Sequence, residues 1–219
     1  MLIGKEKSTR MSNLGRLYAF EGIDGAGKTT LIKHVAMELE KRGEKVVIQS
    51  YPSHRLVGKL VREASLTPLA IATPAYLHLF IADALDNEAQ IVKWVDDGYT
   101  VLTDRNPIIS PMMYQVEVFP LEYVFSVCRP SMFTPVNIVF VVDVPATIAF
   151  ERTQKRGTPL NIYDAESINR AEVRRARYNS LWSFMCNVVY LDGTRVATDN
   201  VKAVIAATQK LNEIILSKN

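Results

Sequence analysis

This chain is short of cysteine, of histidine and of long apolar runs. Its two cysteines, Cys128 and Cys186, show no spacing that suggests a disulfide framework or a metal site, so a reducing, cytoplasmic setting is expected. The three histidines (His34, His54, His78) are scattered along the chain, which argues against a zinc cluster. No apolar stretch approaches the ~18 residues of a membrane span. Residues 1–16 are polar and basic and lack the apolar centre of a secretory signal, so they read as a flexible leader to one domain over 17–219. The formal net charge is only +3, without the concentrated basic patch of a nucleic-acid binder.

What is present is an alternation of strand and helix. "LYAF" (17–20) reads as a buried strand, followed from Lys28 by Leu31, Val35 and Leu39 at helical spacing until Gly43. Further strands are expected at 45–51, 99–104, 137–144 and 187–193, with helices over 74–98, after Pro145, up to about Met185, and over 199–216. The first and fourth strands are apolar throughout, as expected when both faces of a sheet are covered. The pattern predicts an α/β fold, a doubly wound parallel sheet. Ligands bind such sheets beyond the carboxyl ends of the strands.

The stretch beyond the first strand is "FEGIDGAGKTT". Gly22, Gly27, Lys28 and Thr29 fit G-x-x-x-x-G-K-[ST], between a strand and a helix as that motif requires. Glycine lets main-chain N–H groups approach phosphates, and the following helix adds the positive end of its dipole. The run Gly22, Ile23, Asp24, Gly25, Ala26, Gly27, Lys28, Thr29 and Thr30 is therefore expected to bind ATP. Lys28 should reach the β- and γ-phosphates, and the Thr29 hydroxyl should ligate Mg²⁺.

A phosphate loop alone suits GTPases, motor ATPases and small-molecule kinases. The chain carries no N-K-x-D guanine-reading motif and is short for most motors. "TDRN" (103–106) puts Asp104 and Arg105 at a strand end, where an Asp can hold Mg²⁺ and an Arg can grip an acceptor phosphate with two parallel hydrogen bonds. "ERTQKRG" (151–157) sets Arg152 and Arg156 four apart, with Gly157 as a hinge, so that Arg156 can stabilise charge on a transferring group.

"FEGIDGAGKTT", "YPSH", "FIADA", "TDRN" and "KRG" followed by "RRARY" stand in the order seen in thymidylate kinases, and the resemblance runs from about Leu17 to Tyr178. It implies a P-loop fold with five parallel strands, a lid over about 152–164, a homodimer, and Mg²⁺–ATP as donor to the 5′-phosphate of dTMP. By the same resemblance Asp24 contacts the acceptor sugar, and Tyr51 and Pro52 form the turn that the family builds from Phe-Pro. Phe80 stacks on the base, Arg105 holds the acceptor phosphate, Ser110 and Gln115 lie near the base, and Tyr163 is a lid tyrosine. Gly25 stands where one subclass has a catalytic arginine, which assigns that role to Arg156, with Arg152 beside it.

Two positions depart from the family. Ala84 replaces the arginine of F-x-A-D-R, with Arg55 as the candidate substitute, and "NI" (161–162) replaces the lid's Asp-Arg. Three readings follow: a dTMP kinase, a kinase for another deoxynucleoside monophosphate or a deoxynucleoside, and a nucleotide-binding protein with impaired catalysis.

Overall fold

A computed structural model of the chain describes residues 15–66, 73–156, 168–181, 185 and 187–217. Strands β1 (Arg16–Glu21), β2 (Val46–Ser50), β3 (Thr100–Asp104), β4 (Ile138–Asp143) and β5 (Val188–Asp192) form one sheet in the order β2-β3-β1-β4-β5. Every neighbouring pair is parallel. The register places Phe20 and Ser50 opposite Asp104, and Asp143 opposite Asp192, so the carboxyl ends of all five strands form one edge. The chain leaves β1 toward β2 and β3 on one side and later crosses to β4 and β5 on the other. The reversal falls at β1, and a crevice opens there. The first strand begins at Arg16, and Gly15 already bonds through its N–H to the Val95 carbonyl, so both join the fold ahead of the expected boundary at 17.

Helices α1 (Lys28–Lys41), α2 (Leu56–Leu66), α3 (Thr73–Asp96), α4 (Ile109–Tyr114), α5 (Leu121–Cys128), α6 (Ala146–Lys155), α7 (Ile168–Asn179) and α8 (Ala197–Ser217) complete the described elements, with short 3₁₀ turns at Gln115–Glu117 and Pro130–Met132. Helix α1 buries Leu31, Ile32, Val35 and Leu39 at helical spacing against the sheet. Those residues join Tyr18, Phe20 and Phe140 in the main core, where Phe20 and Phe140 stack at 5.1 Å. A second cluster, built from Tyr51, Val61, Leu77, Phe80, Ala84 and Val124, lies among α2, α3 and α5. It forms the floor of one side of the crevice. Helix α2 is not among the helices expected above, although Leu56, Val57, Leu60 and Val61 recur at helical spacing. It packs close because Gly58 leaves no Cβ: one built there would stand 2.3 Å from the Ser53 carbonyl oxygen.

Candidate active site

The phosphate loop is held by steric necessity. Gly22 has φ 137°, and a Cβ there would lie 2.5 Å from the Val142 carbonyl oxygen. Gly25 has φ 80°, and its Cβ would meet the Ala149 carbonyl oxygen at 2.2 Å. An arginine at position 25 would therefore have to displace helix α6, and the loop is built for glycine there. Lys28 lies buried with its ammonium donating to the carbonyls of Gly22 (3.0 Å) and Ile23 (2.9 Å). Burial and then the Arg105 charge lower its pKa, against the pull of Asp24, Asp104 and Glu21.

Arg105 follows β3 directly in a left-handed conformation, φ 77°, with its N–H bonded to the Phe20 carbonyl. Its Nη2 donates to Asp24 Oδ1 at 2.5 Å and to the Tyr114 hydroxyl at 3.2 Å, and the guanidinium lies 5.0 Å from the Tyr114 ring centre. Its Nη1 is buried without a hydrogen-bond partner. A guanidinium braced on Asp24 and still lining the cavity is suited to an anion. Burial pushes the Asp24 carboxyl up, but Arg105 and then Lys28 outweigh it and its pKa is lowered.

These groups line one cavity of about 850 Å³, within the range of small-molecule sites. One arm is walled by Tyr51, Pro52, Phe80, Ser110, Tyr114 and Gln115. The 51–55 turn is anchored by Asp83, whose buried carboxylate accepts from the Ser53 N–H (2.6 Å) and hydroxyl (2.5 Å). Arg55 is not part of the cavity wall. It pairs on the surface with Asp86 at 2.7 Å. Arg62, two helical turns further along α2, does line the arm, and its guanidinium donates to the carbonyls of Pro52 and Ser53. Ala84 is fully buried in the apolar cluster, so its place in this chain belongs to the core.

The other arm is walled by Val142, Arg152, Arg156, Gly193, Arg195 and Asn200. Arg152 donates to the Gly193 carbonyl at 3.0 Å and reaches the Ala26 carbonyl at 3.4 Å, tying the phosphate loop to the turn after β5. Beneath it Arg175 of α7 grips Asp143 through two hydrogen bonds, 2.6 and 3.0 Å, which hold that carboxyl below its ordinary range. Tyr163, positions 161–162 and most of the expected lid lie outside the described residues.

The Thr29 hydroxyl donates to Asp104 Oδ2 at 2.5 Å. No group of three or more His, Cys, Asp or Glu side chains that could enclose a metal occurs among the described residues. Two hard oxygen donors beside a phosphate loop nevertheless suit Mg²⁺, which keeps several waters and completes its shell with substrate phosphates.

Glu21, Arg62, Asp83, Arg195 and Asn200 are not among the residues the sequence singles out. Glu21 carries the clearest signal, a carboxylate ending an otherwise apolar strand. The other four depend on how loops and helices meet.

Parallel sheet, glycine loop and two-armed cavity together define a P-loop phosphotransferase fold with room for two ligands. The family model described as Thymidylate kinase matches residues 20–205. A probable thymidylate kinase of Caldivirga maquilingensis is 32% identical over 192 residues, covering 84% of this chain and 89% of that protein. A thymidylate kinase of Thermosipho africanus is 30% identical over 194 residues, covering 85% and 94%. A probable thymidylate kinase of Sulfurisphaera tokodaii is 34% identical over 142 residues, covering 64% and 70%. The chain belongs to the thymidylate kinase family.

Proposed function

We propose that the protein transfers the terminal phosphoryl group of Mg²⁺–ATP to the 5′-phosphate of dTMP, giving dTDP. One observation supports this most: the Arg105 guanidinium, braced on Asp24, lines the same cavity as Lys28 and the phosphate loop. The loop amides and Lys28 hold the donor phosphates. Arg105 holds the acceptor phosphate, braced by Asp24 and Tyr114. Tyr51, Phe80, Ser110 and Gln115 enclose the acceptor's sugar and base, and Arg152 and Arg156 flank the donor. Thr29 and Asp104 would hold Mg²⁺, which when bound neutralises charge on the donor phosphates. No covalent enzyme intermediate is required, because alignment and charge neutralisation carry the reaction.

Small nucleotides are the partners this reading requires, in the cytoplasm. No helix among the described residues is long and apolar enough to cross a membrane. Exposed Leu56 and Leu60 on α2, with Leu85 and Val92 on α3, support a homodimer through those helices. ADP release measured with dTMP, dUMP, dGMP, dCMP and thymidine tests the assignment. dTMP should be the preferred acceptor. A preference for uncharged thymidine would overturn the role of Arg105, and ATP binding without transfer to any acceptor would overturn catalysis.

With Ala84 in the core, Arg62 is the second cation available to the acceptor. Arg62→Ala should raise the KM for dTMP about tenfold, the loss expected of one hydrogen bond to a charged group. The KM for ATP should stay unchanged in the same initial-rate titrations. A shift shared by both substrates would remove Arg62 from the acceptor arm.

A further inference from the structure

Glu21 is a fully buried carboxylate that the mechanism above does not use. Its Oε1 accepts from the Asn106 N–H at 2.7 Å and the Ser110 hydroxyl at 2.8 Å, and its Oε2 accepts from the Tyr178 hydroxyl at 2.8 Å. Three segments therefore converge on the end of β1: the turn after β3, helix α4 and helix α7. Arg105 Nη1 stands 3.9 Å from Oε2, close enough for charge attraction and too far for a hydrogen bond.

The backbone here is also specific. Arg105 sends its N–H to the Phe20 carbonyl, and the next residue, Asn106, sends its N–H to the Glu21 side chain. Two consecutive N–H groups are thus fixed on the end of β1, with the left-handed Arg105 at the bend. A non-glycine residue keeps such a conformation only where its surroundings enforce it.

We propose that Glu21 is a positioning residue for Arg105: it pins the left-handed turn through Asn106 and draws the buried Nη1 inward, so that the exposed part of the guanidinium faces the cavity and the acceptor phosphate. Glutamine would not reproduce this. The Ser110 and Tyr178 hydroxyls could turn to accept from its amide, but the charge opposite Arg105 would be gone.

The inference rests on the acceptor-phosphate reading of Arg105, and ligand pairs separate the two. Binding of dTMP and of thymidine is measured calorimetrically for wild type, Glu21→Gln, Arg105→Ala and the double variant. Wild type should prefer dTMP. Glu21→Gln should weaken dTMP about tenfold or more, with thymidine changed less than about twofold. In the Arg105→Ala background it should cost nothing further. If Glu21→Gln does not fold, Tyr178→Phe carries the test, because it keeps the ring in the core and removes one donor; its smaller loss should again fall on dTMP alone. Equal losses for dTMP and thymidine, or an unchanged dTMP preference in the variants, would overturn the inference while leaving the reading of Arg105 intact. A wild-type protein that binds both ligands alike would overturn that reading and the inference with it.

Discussion

Lys28→Ala should lower turnover of dTMP by about 10³-fold, the upper range for losing one preorganised charge donor in a closed site. Around Lys28 the site holds two cations, Lys28 and Arg105, and three carboxylates, Glu21, Asp24 and Asp104. Without Lys28 a single guanidinium faces all three, and the excess of negative charge that a triphosphate meets grows. The fold should survive. The ammonium is costly to bury, as its lowered pKa records, and its two partners are main-chain carbonyls of a loop already fixed by its glycines. Two carbonyls left without their donor cost about 1–3 kcal/mol each at most. Relief of the buried charge offsets part of that. Lys28→Met, which keeps the apolar stem, should lose as much turnover with a higher melting temperature than Lys28→Ala. Saturating ADP-release assays paired with thermal melts check both statements. Turnover within tenfold of wild type in either variant would mean that Lys28 does not carry the donor phosphates.

How much of this site could be read from the chain depends on what fixes each residue in space. The phosphate loop is legible because its spacing is the geometry: a glycine at 22 and at 27 and a lysine opening a helix have one arrangement, and the structure has it. Asp104 and Arg105 are legible because the end of a buried parallel strand must point into the crevice. The second arginine is a different case. Arg55, just beyond Pro52, is the candidate because a helix entry there can point toward the acceptor. The helix starts at Leu56 and leaves Arg55 facing Asp86 on α3, while Arg62 folds back along the helix to the Pro52 carbonyl. Such placements depend on the angle between α2 and α3, set by Gly58 and the Ser53–Asp83 clamp, and no local pattern encodes that angle. Ala84 shows the converse. A missing arginine reads as a lost contact in the sequence, whereas the structure makes the position a packing site among Val61, Phe80 and Val124.

Arg105→Ala should lower kcat/KM for dTMP by about 10²–10³-fold while thymidine binding is largely spared, since the nucleoside offers no phosphate to grip. Arg105→Lys should recover only part of the loss, because a point charge cannot brace on Asp24 and Tyr114 while presenting a second nitrogen. The stability cost should depend on pH in a defined direction. Asp24 has its pKa lowered because Arg105 and Lys28 outweigh its burial; Glu21 has its pKa raised by burial, with Arg105 opposing the rise. A carboxyl with a depressed folded pKa contributes stability above its unfolded value of ~3.9, and that contribution disappears as pH falls through the folded value. Removing Arg105 takes the contribution from Asp24 and worsens the position of Glu21, so both charges are penalised at neutral pH. Protonation in acid relieves the two penalties. The melting-temperature gap between Arg105→Ala and wild type should therefore be wide at pH 7 and narrow toward pH 4, as a pair of melts at each pH will show. A gap that widened in acid would mean that the arginine is not the counter-charge of these carboxylates, and an acceptor KM and kcat both within about threefold of wild type would mean that it does not hold the acceptor phosphate.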